Sequence, residues 1–334
     1  MPNLAKKIGD KLIAYLRDKL KDSMIGYEEP LTPLEGGCET HMYRFKLNGV
    51  PKELSIPLVL RLYPQFHGTR NAVLEKTIQN VLAGEGFPVA HTYFICTDMT
   101  ILGGSFFIME FLNGNLMLTA PFESIPDMLG DAHASLHKLK PDLLIKSLHE
   151  QGIKDFRFSN NLDWLNEKAN KHTWFKPGIE WLKENRPDDK DHLVICHGDF
   201  HYLNILITEE KVSGIIDWSC FLIANPVLDI ANTIVITTMV SKHLLPSTIK
   251  RFSSVNWEIF TQKYLNAYQK NNPLLNIKHL SYYMVRRCFE AIIQGIEGQK
   301  ALQNLLIIKD MIKYIGNTTG IHIPIVDYNA NNLA

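Results

Sequence analysis

The chain has little of what would place it in several broad classes. Its five cysteines (Cys38, Cys96, Cys196, Cys220 and Cys288) are scattered, with no C-x-x-C pair. Neither a disulfide scaffold nor a cysteine-built metal site is indicated, and a reducing cytoplasm is the expected setting. Charge of one sign is also missing: 35 Lys and Arg oppose 35 Asp and Glu in 334 residues. That balance gives no electrostatic case for nucleic acid or a membrane surface as a partner. Long apolar runs are absent. The most apolar stretch, Ala231 to Val240, is too short to cross a bilayer. The N-terminus breaks its apolar pattern with Lys6, Lys7, Asp10 and Lys11, unlike the core of a signal peptide. No G-x-x-x-x-G-K-[ST] occurs, which excludes a P-loop nucleotide site. Neither an internal repeat nor a low-complexity tract is present.

What is there suggests a two-lobed enzyme, since a chain of this length exceeds the usual single core. Leu4, Ile8, Leu12, Leu16 and Leu20 recur with lysines between them, the pattern of an amphipathic helix. Leu31 to Lys46 and Leu54 to Tyr63 read as strands, with a tight turn at Gly36-Gly37. Asn71 to Ala83 reads as a helix ending at Gly84, followed by strands near Tyr93 to Thr97 and Ser105 to Phe111. Asn113-Gly114-Asn115 marks the crossing into a mostly helical region. The expectation is an α+β chain, with residues 1–112 as a β-rich lobe with a leading helix and residues 113–334 as a helical lobe.

The chemistry concentrates in Cys196-His197-Gly198-Asp199-Phe200-His201-Tyr202-Leu203-Asn204-Ile205-Leu206 and the later Gly214-Ile215-Ile216-Asp217-Trp218. Leu193 to Cys196 reads as a buried strand that delivers H-G-D onto a loop. Ile205 to Ile207 and Val212 to Ile216 read as a hairpin with Asn204 and Asp217 at its open ends. Two carboxylates and a carboxamide at this spacing suit phosphoryl transfer from a nucleotide. Magnesium takes oxygen ligands while keeping several waters, which suits Asn204 and Asp217. An acceptor hydroxyl must be aimed and must lose its proton as the bond forms, which suits Asp199 as orienter and late base. The pattern follows the kinase loop H-x-D-x-x-x-x-N, with Gly198 where protein kinases have Arg and Asp-Trp-Ser where they have Asp-Phe-Gly.

Other pieces accompany these in order: Leu34-Glu35-Gly36-Gly37, Val59-Leu60-Arg61, Glu75, Phe107-Ile108-Met109-Glu110-Phe111, Leu136-His137 and Pro226-Val227-Leu228-Asp229-Ile230-Ala231. Over most of its length the chain resembles the aminoglycoside phosphotransferase and choline kinase superfamily, the small-molecule branch of the protein-kinase-like fold. The resemblance implies a small antiparallel-sheet N-lobe and a larger helical C-lobe. It implies Gly36, Gly37 and Thr40 at the phosphates, where many relatives carry Asn in place of Thr40. Arg61 would contact the α/β-phosphates, with Glu75 holding it, and Arg can grip phosphate oxygens bidentately. Backbone groups at Glu110, Phe111 and Leu112 would meet the purine edge, with Leu206 and Ile216 beside the base. His197, His201 and Asp229 would support the loop. Ser219 and Ala224-Asn225 depart from the common D-W-E and G-D-P patterns.

The implied activity is a small-molecule kinase using Mg2+ and ATP as the expected donor, with GTP as the alternative because the discriminating contacts are largely main-chain. A protein kinase needs a peptide platform after its metal aspartate, but here only Trp218 to Leu228 separates Asp217 from Asp229. The acceptor is read from charge. From Ser241 to Lys300 the acids are Glu258, Glu290 and Glu297, against a majority of Lys and Arg. A neutral or anionic hydroxyl compound is expected over a polycation. The alternatives are an aminoglycoside or macrolide phosphotransferase and a catalytically silent nucleotide-binding scaffold. Oligomeric state is open.

Overall fold

A computed structural model describes residues 2–34, 40–158, 162–188, 193–244, 255–273 and 276–324. In chain order the elements begin with α1 (Pro2–Leu20), β1 (Gly26–Pro33), β2 (His41–Asn48), β3 (Pro57–Pro64), α2 (Arg70–Gly84), β4 (Thr92–Cys96), α3 (Met99–Leu102), β5 (Gly104–Glu110) and β6 (Asn115–Leu116). They continue with α4 (Ile125–His137), α5 (Asp142–Glu150), α6 (Asp163–Lys171), α7 (Lys176–Glu184), β7 (Val194–Cys196), β8 (Ile205–Thr208), β9 (Lys211–Ile215) and β10 (Leu222–Ala224). The chain closes with α8 (Pro226–Val235), α9 (Lys242–Leu244), α10 (Trp257–Asn271), α11 (Leu280–Ile296) and α12 (Leu305–Thr319). The chain divides into two compact units. One holds Met1–Asn115, Asp142–Asp155 and Ile205–Ser219; the other holds Leu116–Pro141, Phe156–Asn204 and Cys220–Ala334. Among the described residues no helix is long and apolar enough to cross a membrane.

The first unit is built on an antiparallel sheet of order β1-β2-β3-β5-β4. Strand alternation sorts β3 onto two faces. Leu58, Leu60 and Leu62 join Phe45, Leu47, Phe106, Ile108 and the α1 residues Ile8, Leu12 and Leu16 in one core. Tyr63 lies on the other side with Phe107 and Ala72 of α2. Arg61 shares the Tyr63 face by period, so it is turned toward α2. The helix is fixed to the sheet by Asn80, whose Nδ2 donates to the Thr92 carbonyl (2.9 Å) and whose Oδ1 accepts from the Thr92 amide (2.7 Å). Leu4, the first member of the expected α1 stripe, is exposed, and Ala5 is buried in its place. Strand β1 starts at Gly26, ahead of the expected Leu31, because Tyr27 belongs to the core packing and its hydroxyl donates to the Gly9 carbonyl of α1 (2.8 Å). The β8–β9 hairpin turns through Glu209 and Glu210, both with positive φ. It is tied down where the Ile215 amide donates to the Pro88 carbonyl (2.7 Å).

In the second unit β7 and β10 pair antiparallel, Cys196 opposite Leu222 and Val194 opposite Ala224. All three β7 residues are buried, which explains an unbroken apolar run in place of alternation. Helix α8 starts at Pro226, and Asn225 caps it by accepting from the Val227 amide (2.9 Å). The apolar stretch read as too short for a membrane continues α8 through a π-helical turn, Ile236–Ser241, buried throughout.

Candidate active site

Strand β7 ends at Cys196 and releases His197-Gly198-Asp199 as a tight loop. Gly198 has φ +80°, and a Cβ there would lie 2.1 Å from the Cys220 carbonyl oxygen. Any side chain is thus excluded where protein kinases carry Arg. Asp229, in the first turn of α8, is fully buried and braces this loop. Its Oδ2 accepts from the His197 amide (2.7 Å) and its Oδ1 from the Gly198 amide (2.9 Å). The helix N-terminus adds a favourable field for the carboxylate. His133 Nε2 and His137 Nε2 of α4 lie 3.0 and 3.3 Å from Oδ2. Burial pushes the Asp229 carboxyl upward, but the two imidazoles and their hydrogen bonds hold it well below the ordinary value.

Asp199 is placed by the loop itself. Its amide donates to His197 Nδ1 (3.3 Å). The His201 ring accepts the Leu203 amide at Nδ1 (3.2 Å), which leaves its Nε2–H to face Asp199 Oδ1 at 3.4 Å. Asn204 Nδ2 donates to Asp199 Oδ2 (3.0 Å) and to the Asp199 carbonyl (3.0 Å). Burial raises the Asp199 pKa, but the hydrogen bond and charge of His201, then His197 and Asn204, bring it down to about 2. At neutral pH it is an ionised acceptor.

The first unit holds a second charged cluster. Arg61 Nη1 lies 3.1 Å from Glu75 Oε2, and Nη2 donates to Asp217 Oδ1 at 3.1 Å. Ser219 Oγ donates to the same Asp217 oxygen (2.9 Å). Asp217 takes φ 64°, a left-handed conformation that short polar side chains tolerate better than most. The next residue, Trp218, is buried and donates from Nε1 to the Ile215 carbonyl (3.1 Å). Burial opposes the Arg61 charge, but Glu75 and Asp217 hold its pKa above the ordinary arginine value. Burial also pushes Glu75 up, to about 7, against the pull of Arg61.

The structure thus brings together Asp199, Asn204, His197, His201 and Asp229 in one unit and Arg61, Glu75 and Asp217 in the other. Gly36 and Gly37 lie outside the described residues; Thr40 is buried. Glu110 is engaged on both sides of His91, donating its amide to the His91 carbonyl (3.0 Å) and accepting the His91 amide at Oε1 (2.9 Å). The Phe111 amide is used by the Pro57 carbonyl (2.9 Å), so it belongs to the sheet. Leu112 packs over Gly214, beside Leu206. Ile216 is partly buried.

Sequence reading missed His133 and its pairing with the buried Tyr264 and Tyr268. The usable signal was spacing. His133 and His137 stand four apart on α4, and Tyr264 and Tyr268 stand four apart on α10, so each pair shares a helix face.

An α+β chain with this sheet order, an H-G-D loop braced from the following helix and a strand-borne Arg paired to a helix Glu has the protein-kinase-like fold of small-molecule phosphotransferases. Residues 30–259 match the model of the phosphotransferase enzyme family, and the chain belongs to that family. Among curated proteins it is similar to acyl-CoA dehydrogenase family member 11 of Gallus gallus, 28% identical over 222 residues, covering 62% of this chain and 26% of the relative. The Homo sapiens protein of the same name is 26% identical over 225 residues, with the same coverage of 62% and 26%. The chain therefore spans roughly a quarter of the length of the curated relatives it matches. Among solved structures it is similar to a candidate aminoglycoside phosphotransferase of Ralstonia eutropha JMP134 (19% identical, TM-score 0.67, covering 92% of this chain and 96% of that one). A macrolide 2'-phosphotransferase of Brachybacterium faecium (16% identical) gives TM-score 0.53 over 89% of this chain and 97% of that one. A thermostable mutant of aminoglycoside phosphotransferase APH(4)-Ia in a ternary complex with AMP-PNP and hygromycin B (14% identical) gives TM-score 0.54 over 96% and 99%. At these identities the likeness is one of fold.

Proposed function

We propose that the protein is a small-molecule kinase that transfers the γ-phosphoryl group of ATP, or of GTP, to a hydroxyl of a neutral or anionic compound. The observation that carries this reading is the Asp199 carboxylate, held ionised on a loop whose backbone is fixed by Asp229. Asp199 orients the acceptor hydroxyl and takes its proton as the oxygen bonds to the γ-phosphorus. The bond to the β-phosphate oxygen breaks, and the nucleoside diphosphate leaves. Asn204 and Asp217 would hold magnesium, and an all-oxygen donor set fits that ion. When bound, it would supply charge neutralisation across the β- and γ-phosphate oxygens. Arg61 would exchange one of its carboxylate partners for the α/β-phosphates, with Glu75 retaining the other side of the guanidinium. Backbone groups at Glu110 and Leu112 would meet the base, and Leu206 and Ile216 would line it. Buried free thiols at Cys96, Cys196 and Cys288 are consistent with a reducing, cytoplasmic setting.

The acceptor reading rests on the helices that follow the site residues. Three of their carboxylates are already balanced within the second unit. Glu290 accepts from Arg286 (2.8 Å), Glu297 from Lys168 (2.5 Å), and Asp310 faces Lys242 and His243 (2.6 Å each). A polyammonium ligand would find few uncommitted carboxylates, and desolvating unpaired ammonium groups is costly. The curated relatives are named for acyl-CoA dehydrogenation, which places hydroxylated acyl-CoA compounds, which are anions, first among acceptors to try. The test is a nucleotide-consumption screen over hydroxyacyl-CoAs, sugars, hydroxy acids, macrolides and aminoglycosides, with product masses checked for an added phosphoryl group. Turnover with an anionic or neutral alcohol is expected, and none above background with kanamycin-type compounds. Saturable phosphorylation of an aminoglycoside at micromolar KM would reverse the acceptor reading; no turnover with any acceptor would reverse the kinase reading.

A further inference from the structure

The seam between α4 and α10 is unusually close for a reason visible at Gly130. A Cβ there would stand 2.5 Å from the Tyr264 carbonyl oxygen and 2.8 Å from the Ala267 Cβ. With the helices this near, Tyr264 Oη lies 2.7 Å from His133 Nδ1 and Tyr268 Oη lies 2.6 Å from His137 Nδ1. The other nitrogen of each ring faces Asp229 Oδ2. An ionised carboxylate can only accept, so both rings must carry their proton on Nε2, and each Nδ1 must then accept from a tyrosine hydroxyl. His133 also stacks on Phe200, the residue after Asp199, with ring centroids 4.1 Å apart at 18°. One imidazole therefore touches the brace and the loop that the brace holds.

We propose that His133 and His137, locked as Nε2–H tautomers by Tyr264 and Tyr268 across the Gly130 seam, are positioning residues that hold Asp229 and through it the Asp199 loop. The inference rests on the kinase reading for its catalytic consequence, while the network itself stands on geometry. Burial keeps the His133 ring neutral, with its pKa lowered to about 4. Asp229 is met by four N–H groups, two from backbone and two from imidazole. Such an arrangement suits a part that must stay still. Backbone and ring N–H groups fixed in a helix seam are not drawn off by an arriving phosphate, whereas a guanidinium is.

The same three side chains also stand close enough to bind a metal ion. That alternative requires the opposite tautomer, with Nε2 as ligand and the proton on Nδ1. The experiment exploits this. In the full-length protein, labelled at its histidine ring nitrogens, the His133 and His137 signals should show protonated Nε2 and unprotonated Nδ1. Metal analysis should find no stoichiometric ion. Protonated Nδ1 with one bound metal per chain would overturn the proposal.

Function is read with three variants. Tyr264→Phe keeps the ring and removes the donor to His133. His133→Gln places an amide N–H near the lost Nε2–H, and His133→Leu removes the donor. Tyr264→Phe and His133→Leu should lower kcat by about 10- to 100-fold with nucleotide KM within about twofold, because misplacing the loop affects the chemical step. Amide exchange at His197 and Gly198 should quicken in both. His133→Gln should recover most of the loss. If His133→Leu does not fold, Tyr264→Phe and the tautomer measurement still decide. Unchanged exchange and unchanged kcat in Tyr264→Phe would overturn the proposal. Should the wild type phosphorylate nothing, the kinase reading fails, and the tautomer and exchange measurements still judge the network.

Discussion

Glu75 and Asp229 are both fully buried carboxyl groups, and they are balanced in opposite ways. Glu75 faces the Arg61 guanidinium at 3.1 Å, yet neither of its oxygens accepts a well-aligned hydrogen bond. Asp229 takes four directed N–H groups, two from backbone and two from imidazole. The difference follows what each must do under the proposed function. Arg61 has to be available to a ligand that comes and goes, so Glu75 holds it by charge, which is long-ranged and tolerant of geometry, while Asp217 accepts one directed bond from it. The Asp199 loop must not move, so its brace uses short directional bonds that fix orientation. One unit carries an exchangeable cluster and the other a fixed one.

The largest effect is expected at the end of the fixed cluster. Asp199→Asn should leave nucleotide binding nearly intact and lower kcat by ~10²–10⁴, the usual contribution of a positioned general base. Titration calorimetry and turnover on the same preparation separate the two. Asp217→Asn should instead weaken binding of magnesium-nucleotide itself, since a neutral amide balances the cation poorly. Wild-type turnover in Asp199→Asn would remove the base assignment.

Asp229→Leu comes next and should act on stability. It strands the His197 and Gly198 amides and two imidazole N–H groups, and each buried polar group left unpaired costs about 1–3 kcal/mol. Urea unfolding should show the loss as a lower midpoint. Glu75→Leu should cost less, because Arg61 retains Asp217. If the two variants were equally destabilised, the contrast between directed and charge-only balance would be wrong.

These two clusters also differ in how legible they were. The H-G-D loop, Asn204, Asp217 and the P-V-L-D-I-A segment could be read because phosphoryl transfer demands those residue types at fixed separations within short stretches of chain. The side of the sheet to which Arg61 belongs was not legible, because β3 is buried on both faces and its apolar run does not alternate. His133 and its tyrosines could not be placed because their contacts join residues 131 positions apart. Periodicity shows that such residues share a helix face but not which helix covers it. Gly130 carried the missing information, as a close-approach residue. Without a structure it reads only as a weak point in a helix.

Within the exchangeable cluster, Arg61→Ala should raise the apparent nucleotide KM and lower kcat together, since the contact it would make touches phosphates in ground and transition states. Arg61→Lys should keep part of the activity: it retains the charge but loses the fork that spans Glu75 and Asp217. Steady-state kinetics over a range of nucleotide concentrations reads both. Wild-type kinetics in Arg61→Ala would make this residue a structural ion-pair partner only.

The smallest effect is a pH dependence of stability specific to Glu75. Folded Glu75 holds its proton up to about pH 7, because burial outweighs Arg61, whereas an unfolded glutamate releases it near ~4.3. Between those values the folded chain binds more protons than the unfolded one, so this group's contribution is fully present below the window and is lost as pH rises through it. His133 slopes the other way. Its folded pKa is lowered to about 4, below the unfolded value of ~6.5, so its contribution grows as pH rises between the two. The Asp199 contribution is lost only as pH falls toward 2, outside the window. Subtracting the Glu75→Gln curve from the wild-type curve cancels His133 and isolates Glu75. Urea melts from pH 4.5 to pH 7.5 should show wild type losing stability relative to Glu75→Gln as pH rises, with the difference levelling above about 7. Parallel curves would mean that Glu75 is ionised throughout and that Arg61 outweighs burial. In that case the exchangeable cluster would be a firm ion pair, closer in character to the Asp229 brace than the geometry implies.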